Sequence, residues 1–217
     1  MPTKLPARPW ADQLTMGFLI GTTAWLSLTL AKGPGELAAI WIGNGIFTGW
    51  LLSRPTAVWP AYLVTGFFAG SAAELLSGSS GLYAVSIGLC DLIEVLTVAG
   101  AVRYKVPDVG DPKRWVSLGG VATASTLVAC ALSGSLASAV TWFFYDSAFW
   151  VNFVSWYAAH VVGMVIIATT TLAVHRQGLR ALEPGLPHPV DGVRGVPGSV
   201  PHHHGRADLG RDRRPGP

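Results

Sequence analysis

The sequence predicts an all-α fold: a polytopic transmembrane helix bundle of about six spans, both termini cytoplasmic, with a disordered C-terminal tail. Three observations carry this. Half of the 217 residues are hydrophobic and only 12% are charged, where soluble domains carry about 25% charge. Mean hydropathy is +0.43. The apolar residues fall in runs of about 20, the length a helix needs to cross the hydrocarbon core. Lys and Arg gather in alternate connections between those runs, as cytoplasmic loops require.

The runs, in order, are Leu14–Ala31, Glu36–Ser53, Val58–Ser77, Gly81–Val102, Val116–Phe143 and Ala148–Val174. Lys32, Gly33, Pro34 and Gly35 form the first break, and Arg54-Pro55 the second. Pro60 falls in the first turn of the third run, where its missing N–H costs little. Ser77 to Gly81 reads as a loop, as does Pro107 to Pro112. The fifth run is the longest and is rich in Gly, Ala and Ser, which permit close helix packing. It reads either as one tilted helix or as a helix broken near Ser133, Gly134 and Ser135. Trp50, Trp59, Trp115, Trp142 and Trp150 fall near run ends, as interfacial anchors do.

Orientation follows from charge. Lys4 and Arg8 precede the first run, and Arg54 follows the second. Arg103, Lys105, Lys113 and Arg114 follow the fourth; Arg176 and Arg180 follow the sixth. The opposite side has only Lys32. Residues 1–13 are therefore a cytoplasmic N-terminal segment, residues 14–176 an integral membrane domain, and residues 177–217 a Pro/Gly/Arg-rich tail. From Glu183 the tail has seven Pro, seven Gly and five Arg, too little apolar pattern to build a core. Its prolines exclude a heptad helix, and its composition also matches off-frame reading of GC-rich DNA. His202, His203 and His204 there read as composition, not as a metal site. The net charge of +3 supplies no basic face, so nucleic acid is not an expected partner.

The residues of chemical interest are polar groups inside apolar runs. Asp91 and Glu94 sit one turn apart in the fourth run, on one helix face. An Asp at a helix centre costs roughly 2.5–3.5 kcal/mol in a bilayer, so both are expected inside the bundle. Two ionised carboxylates there repel, which suits a proton-linked switch or the capture of a cation. The plainer reading is a polar pair hydrogen-bonded to neighbouring helices. His160, in the sixth run, is placed to pair with either carboxylate, to bind a metal or to sense pH, although a lone buried histidine is more often a packing residue. Asn44 and Asn152 read as hydrogen-bonding glue between helices. Trp41 and Trp156 lie deep enough to line a pocket. Glu74 reads as facing interfacial water, and Glu36 as complementing a helix N-terminus. Cys90 and Cys130 read as small buried hydrophobes.

Enzymatic signals are poor. The chain has no serine nucleophile elbow, no phosphate-binding glycine loop and no zinc motif. No catalytic residue, cofactor or metal is expected.

The segment Ile40, Trp41, Ile42, Gly43, Asn44, Gly45, Ile46, followed by Leu51-Leu52 and Val58-Trp59-Pro60-Ala61, resembles the membrane-associated sensor domain of the first type, in the MASE family. That domain is the N-terminal input module of many bacterial diguanylate cyclases, phosphodiesterases and histidine kinases. Asp91 to Glu94 resembles its Asn-x-x-Glu segment, with Asp91 at the asparagine. Trp156 to Gly163 resembles its last motif, with His160 where an aspartate is usual; Thr169 stands where a proline is common. The resemblance covers about residues 14–176.

It implies a multi-pass sensor of the bacterial inner membrane that detects an unknown signal and relays it to a cytoplasmic output domain absent from this chain. The candidate sensing residues are Asp91, Glu94, His160, Trp41, Asn44 and Trp156. Expected partners are the lipid bilayer, a cytoplasmic signalling domain or partner protein, and a second copy in a homodimer. The alternative is a small substrate-binding membrane subunit of a transporter. A membrane anchor without a ligand is the third reading.

Overall fold

A computed structural model describes residues 8–30, 41–107 and 115–177. Among these, six α-helices and one 3₁₀ turn form an all-helical bundle. They are α1 (Pro9–Leu30), α2 (Ile42–Leu52), α3 (Trp59–Leu76), α4 (Gly81–Lys105), α5 (Trp115–Tyr145) and α6 (Phe149–Gln177). The 3₁₀ turn, Thr56–Val58, leads into α3, whose first turn holds Pro60 as expected. Glu36, Lys32 and the tail histidines lie outside the described residues.

The exterior is apolar as well as the core. Phe18, Phe68, Leu82, Val128, Val154 and Ile166 are all more than half exposed. In water such a surface far exceeds the few hundred Å² that soluble monomers show; in a bilayer it is the lipid face. The stretches Gly81–Lys105, Val116–Tyr145 and Phe149–Val174 are long and apolar enough to cross a membrane by length and composition. Several hydroxyls on these helices are silenced locally. Thr97, Ser125, Thr169 and Thr170 each donate to a carbonyl three or four residues earlier, which satisfies them without water.

Two expectations are settled by backbone geometry. The fifth run is one continuous helix of 31 residues through Ser133, Gly134 and Ser135. Small side chains there permit packing without demanding a break. The second run is not one helix from Glu36. Trp41 is extended (φ −104°, ψ 98°), and α2 has only 11 residues. At 1.5 Å per residue it is about 16 Å long, roughly half the hydrocarbon core. Its start is set from outside: the Trp41 N–H donates to the Ala159 carbonyl on α6 at 3.2 Å, so it is not available to the turn of a continuing helix.

This short helix is the centre of the bundle. Nine of its residues are buried, and α1, α3, α4 and α6 all pack on it. Its closest approach is to α6, through glycines. A Cβ at Gly45 would lie 2.6 Å from the Gly163 carbonyl oxygen, and one at Gly49 would lie 2.6 Å from Thr171 Cβ. Side chains at either position would hold the helices apart.

The loops end the helices by ordinary devices. After α3, Gly78 adopts φ +93°. Its N–H reaches the Leu75 carbonyl at 3.0 Å, and the Ser79 N–H reaches that of Glu74 at 3.1 Å, a Schellman cap that needs a left-handed residue. Ser80 then caps α4.

At one end of the bundle, Asp12 joins α1 to the α2–α3 connection. Its Oδ1 accepts from Arg54 Nη2 at 2.7 Å. Its Oδ2 accepts from Arg54 Nε at 3.0 Å, Tyr62 Oη at 2.5 Å and Trp50 Nε1 at 3.1 Å. Arg103 of α4 donates to the carbonyls of Leu52 and Arg54, where a cation favours the C-terminus of α2. Burial alone raises the Asp12 pKa, but the hydrogen bonds from Arg54, Tyr62 and Trp50 outweigh it and hold the carboxyl below its usual range. A depressed carboxylate stabilises the fold above its unfolded pKa of about 3.9, and that stability is lost as pH falls through the lower folded value. Thermal unfolding in detergent should therefore show an acid limb below about pH 4. Asp12→Asn should flatten that limb and cost about 1.5–3 kcal/mol near neutral pH. An unchanged pH profile in Asp12→Asn would remove this knot from the account.

Candidate functional site

Midway along the bundle, α2, α4, α5 and α6 bring one polar side chain or more each to a common point. Asn44 lies in the first turn of α2, and its Nδ2 donates to Asp91 Oδ1 at 2.8 Å and Glu94 Oε1 at 3.0 Å. His160 Nδ1 on α6 lies 2.9 Å from Glu94 Oε2 and 3.1 Å from Oε1. Ser133 of α5 donates to Glu94 Oε2 at 2.5 Å. Glu94 is fully buried, His160 is 2% exposed and Asn44 4%; Asp91 is half-buried.

The network limits where the hydrogens can lie. The Asn44 amide has two hydrogens, and the two shortest contacts, to Asp91 and Glu94, use both. Its 3.4 Å approach to His160 Nδ1 then needs no hydrogen of its own. In the tautomer that carries its hydrogen on Nδ1, His160 donates to Glu94. Each of the three partners of Glu94 then offers it a hydrogen, which is the set an acceptor-only carboxylate takes. The N-terminus of α2 adds the partial positive charge of its unpaired N–H groups to the same place.

Two tryptophans fix the imidazole. Trp156 stacks on one side of His160 with ring centroids 4.0 Å apart and planes 21° apart. Trp41 stacks on it at 5.4 Å and 5°. Both indoles also donate into the cluster: Trp156 Nε1 to Ser133 Oγ at 3.1 Å, and Trp41 Nε1 to Asn44 Oδ1 at 3.3 Å. Each tryptophan thus combines a packing face with a polar edge. Gly163 completes the arrangement, because a Cβ there would collide with the Trp41 carbonyl.

All six residues singled out from the sequence, Trp41, Asn44, Asp91, Glu94, Trp156 and His160, are in this cluster. Ser133 was missed as a participant. With Gly134 and Ser135 it read only as a point where the fifth run could break, and serine is common among the small residues of α5. Two other readings change. Asn152 is not glue between helices in its described bond; it donates to Ser147 Oγ at 2.6 Å, at the start of its own helix. Glu74 does not face water; it is buried and accepts from Ser79 Oγ at 2.7 Å. Cys90 and Cys130 are buried free thiols.

The space at the cluster is small. An opening of about 10 Å³ adjoins Asn44, Asp91 and Trp41, the lower limit for one water. Among the described residues, no group of three or more His, Cys, Asp or Glu side chains is placed to hold a metal ion. What the arrangement can do is redistribute protons and hydrogen bonds among two carboxylates, an imidazole and an amide contributed by three helices.

No curated protein and no solved structure matches the chain. The family model of MASE1 matches residues 10–184, the described bundle with its polar centre included. The chain therefore belongs to the MASE1 family, the membrane-associated sensor domains that serve signalling proteins as sensory inputs.

Proposed function

We propose that this chain is the multi-pass input module of a bacterial inner-membrane signalling protein, and that it receives its signal at the Asn44, Asp91, Glu94 and His160 cluster. One observation carries the reading: four helices meet in a shared hydrogen-bond network at the N-terminus of a half-length helix, the place where membrane proteins put ion and proton chemistry. A proton, or an ion carried by a single water, changes which carboxylate holds the Asn44 amide and the His160 ring. Because His160 is on α6, either change favours one setting of α6 against α2. With basic residues clustered as the positive-inside rule requires, α6 leaves the membrane on the cytoplasmic side and carries the change to an output domain. Such relay needs an element with two settings, which both signal and output bias.

The opening of about 10 Å³ beside the cluster suits a proton or a water better than the metabolite that a transporter subunit would capture there.

The test joins the whole chain, through α6, to a cytoplasmic diguanylate cyclase reporter. Asp91→Asn, Glu94→Gln and His160→Ala, each confirmed in the membrane at normal abundance, should shift output at least about 5-fold, the lower end of allosteric couplings. Unchanged output and unchanged pH response in all three would end this proposal.

A further inference from the structure

A second site lies one turn away from the polar cluster and is chemically unlike it. A cavity of about 440 Å³ opens between α2, α4, α5 and α6, within the range of about 300–1,000 Å³ typical of small-molecule sites. Leu52, Val98, Ala122, Met164, Ala168 and Leu172 make most of its wall, and no charged residue lines it. On the α2 side stands Thr48, fully buried, with its Oγ1 lacking any hydrogen-bond partner. Ser71 and Ser138 also carry buried hydroxyls without a partner, but of these only Thr48 lines the cavity. Thr23, Thr97, Ser125, Thr169 and Thr170 all turn back on their own helix, whereas Thr48 does not. An unpaired buried hydroxyl costs about 1–3 kcal/mol, and such a group calls for a partner from elsewhere.

The mouth lies between α5 and α6, where Gly119, Thr123, Thr169 and Thr170 line the cavity and are exposed. Both helices are long and apolar enough to cross a bilayer, so the mouth opens toward hydrocarbon. A more open groove elsewhere, lined by Leu89, Ile93, Leu136 and Phe143, makes a useful contrast. Its one serine, Ser86, is already bonded to the Leu82 carbonyl, so it offers lipid a surface but no polar anchor.

We propose that the cavity binds an uncharged amphiphile taken from the bilayer: a hydrocarbon body with one neutral hydroxyl or carbonyl that pairs with Thr48. An ionised head group is excluded by the cost of burying a charge without a partner. This site rests on neither the polar cluster nor the sensing function proposed for it.

The experiment uses the full chain in phosphatidylcholine vesicles, with a diazirine-bearing long-chain alcohol as probe and the matching alkane as its control. Labelling by the alcohol should concentrate on residues 118–126 and 164–173. Gly119→Leu should abolish that concentration by narrowing the mouth. A Cβ at Gly119 meets nothing within 4 Å, so this variant tests access without disturbing the fold. Thr48→Val should weaken alcohol labelling about 2–10-fold, the value of one hydrogen bond, and leave alkane labelling unchanged. Labelling spread evenly over the exposed apolar helices, the Leu89–Leu136 groove included, and indifferent to Gly119→Leu would overturn the site. Equal effects of Thr48→Val on both probes would overturn the role given to its hydroxyl.

Discussion

Glu94→Ala costs about 3–5 kcal/mol of stability, since each buried donor left without an acceptor costs about 1–3 kcal/mol. The reason is what it leaves behind. His160 Nδ1, Ser133 Oγ and one Asn44 hydrogen all point at a carboxylate that is fully buried, and alanine offers none of them an acceptor. Glu94→Gln keeps the shape but replaces one oxygen with a donor, so one of those groups faces a hydrogen instead of a lone pair; about 1–3 kcal/mol is expected. Removing both partners, in Glu94→Leu with His160→Leu, should cost less than the sum of the two single changes, because neither side chain then leaves the other without its partner. Thermal unfolding of the four proteins in one detergent measures this. A Glu94→Ala variant that melts with the parent would mean that the cluster holds no helices together.

Gly163→Ala has the second large effect. The added methyl would occupy the space of the Trp41 carbonyl, so α6 must retreat from the start of α2. Retreat lengthens the 3.2 Å bond from the Trp41 N–H to Ala159 and opens the Trp41–His160 stack. A loss of about 1–3 kcal/mol is expected for overpacking of this kind. Gly100→Ala is the matched control. Gly100 is also helical, and a Cβ there meets nothing within 4 Å. Its replacement should stabilise the chain by about 0.4–1 kcal/mol, since alanine loses less backbone freedom on folding. Equal melting temperatures for the two variants would show that α2 and α6 are not held at the distance described.

The candidate residues were legible for one physical reason. Carboxylates and imidazole are costly in an apolar run, so Asp91, Glu94 and His160 announce themselves wherever they occur. Hydroxyls do not, because a serine or threonine can satisfy itself on its own helix. That is why Ser133, which donates to Glu94, and Thr48, which bonds to nothing, look alike in the sequence. Asp12 escaped notice for another reason. It precedes the first apolar run, where a charge is ordinary, and its partners Arg54 and Tyr62 are more than 40 residues away.

Composition and run length alone determined the class of the molecule: helices in a bilayer, with their breaks at Arg54-Pro55 and Ser77 to Gly81. These properties are local, since hydropathy and turn chemistry act within one segment. Only the tertiary structure decided that α2 is a half-length helix, because its start depends on a backbone bond from Trp41 to a residue of α6. It also decided which polar groups meet. Helix rotation and register are set by packing between distant segments, here by glycines at 45, 49 and 163 that let α2 and α6 touch. No periodicity within a single run records that contact.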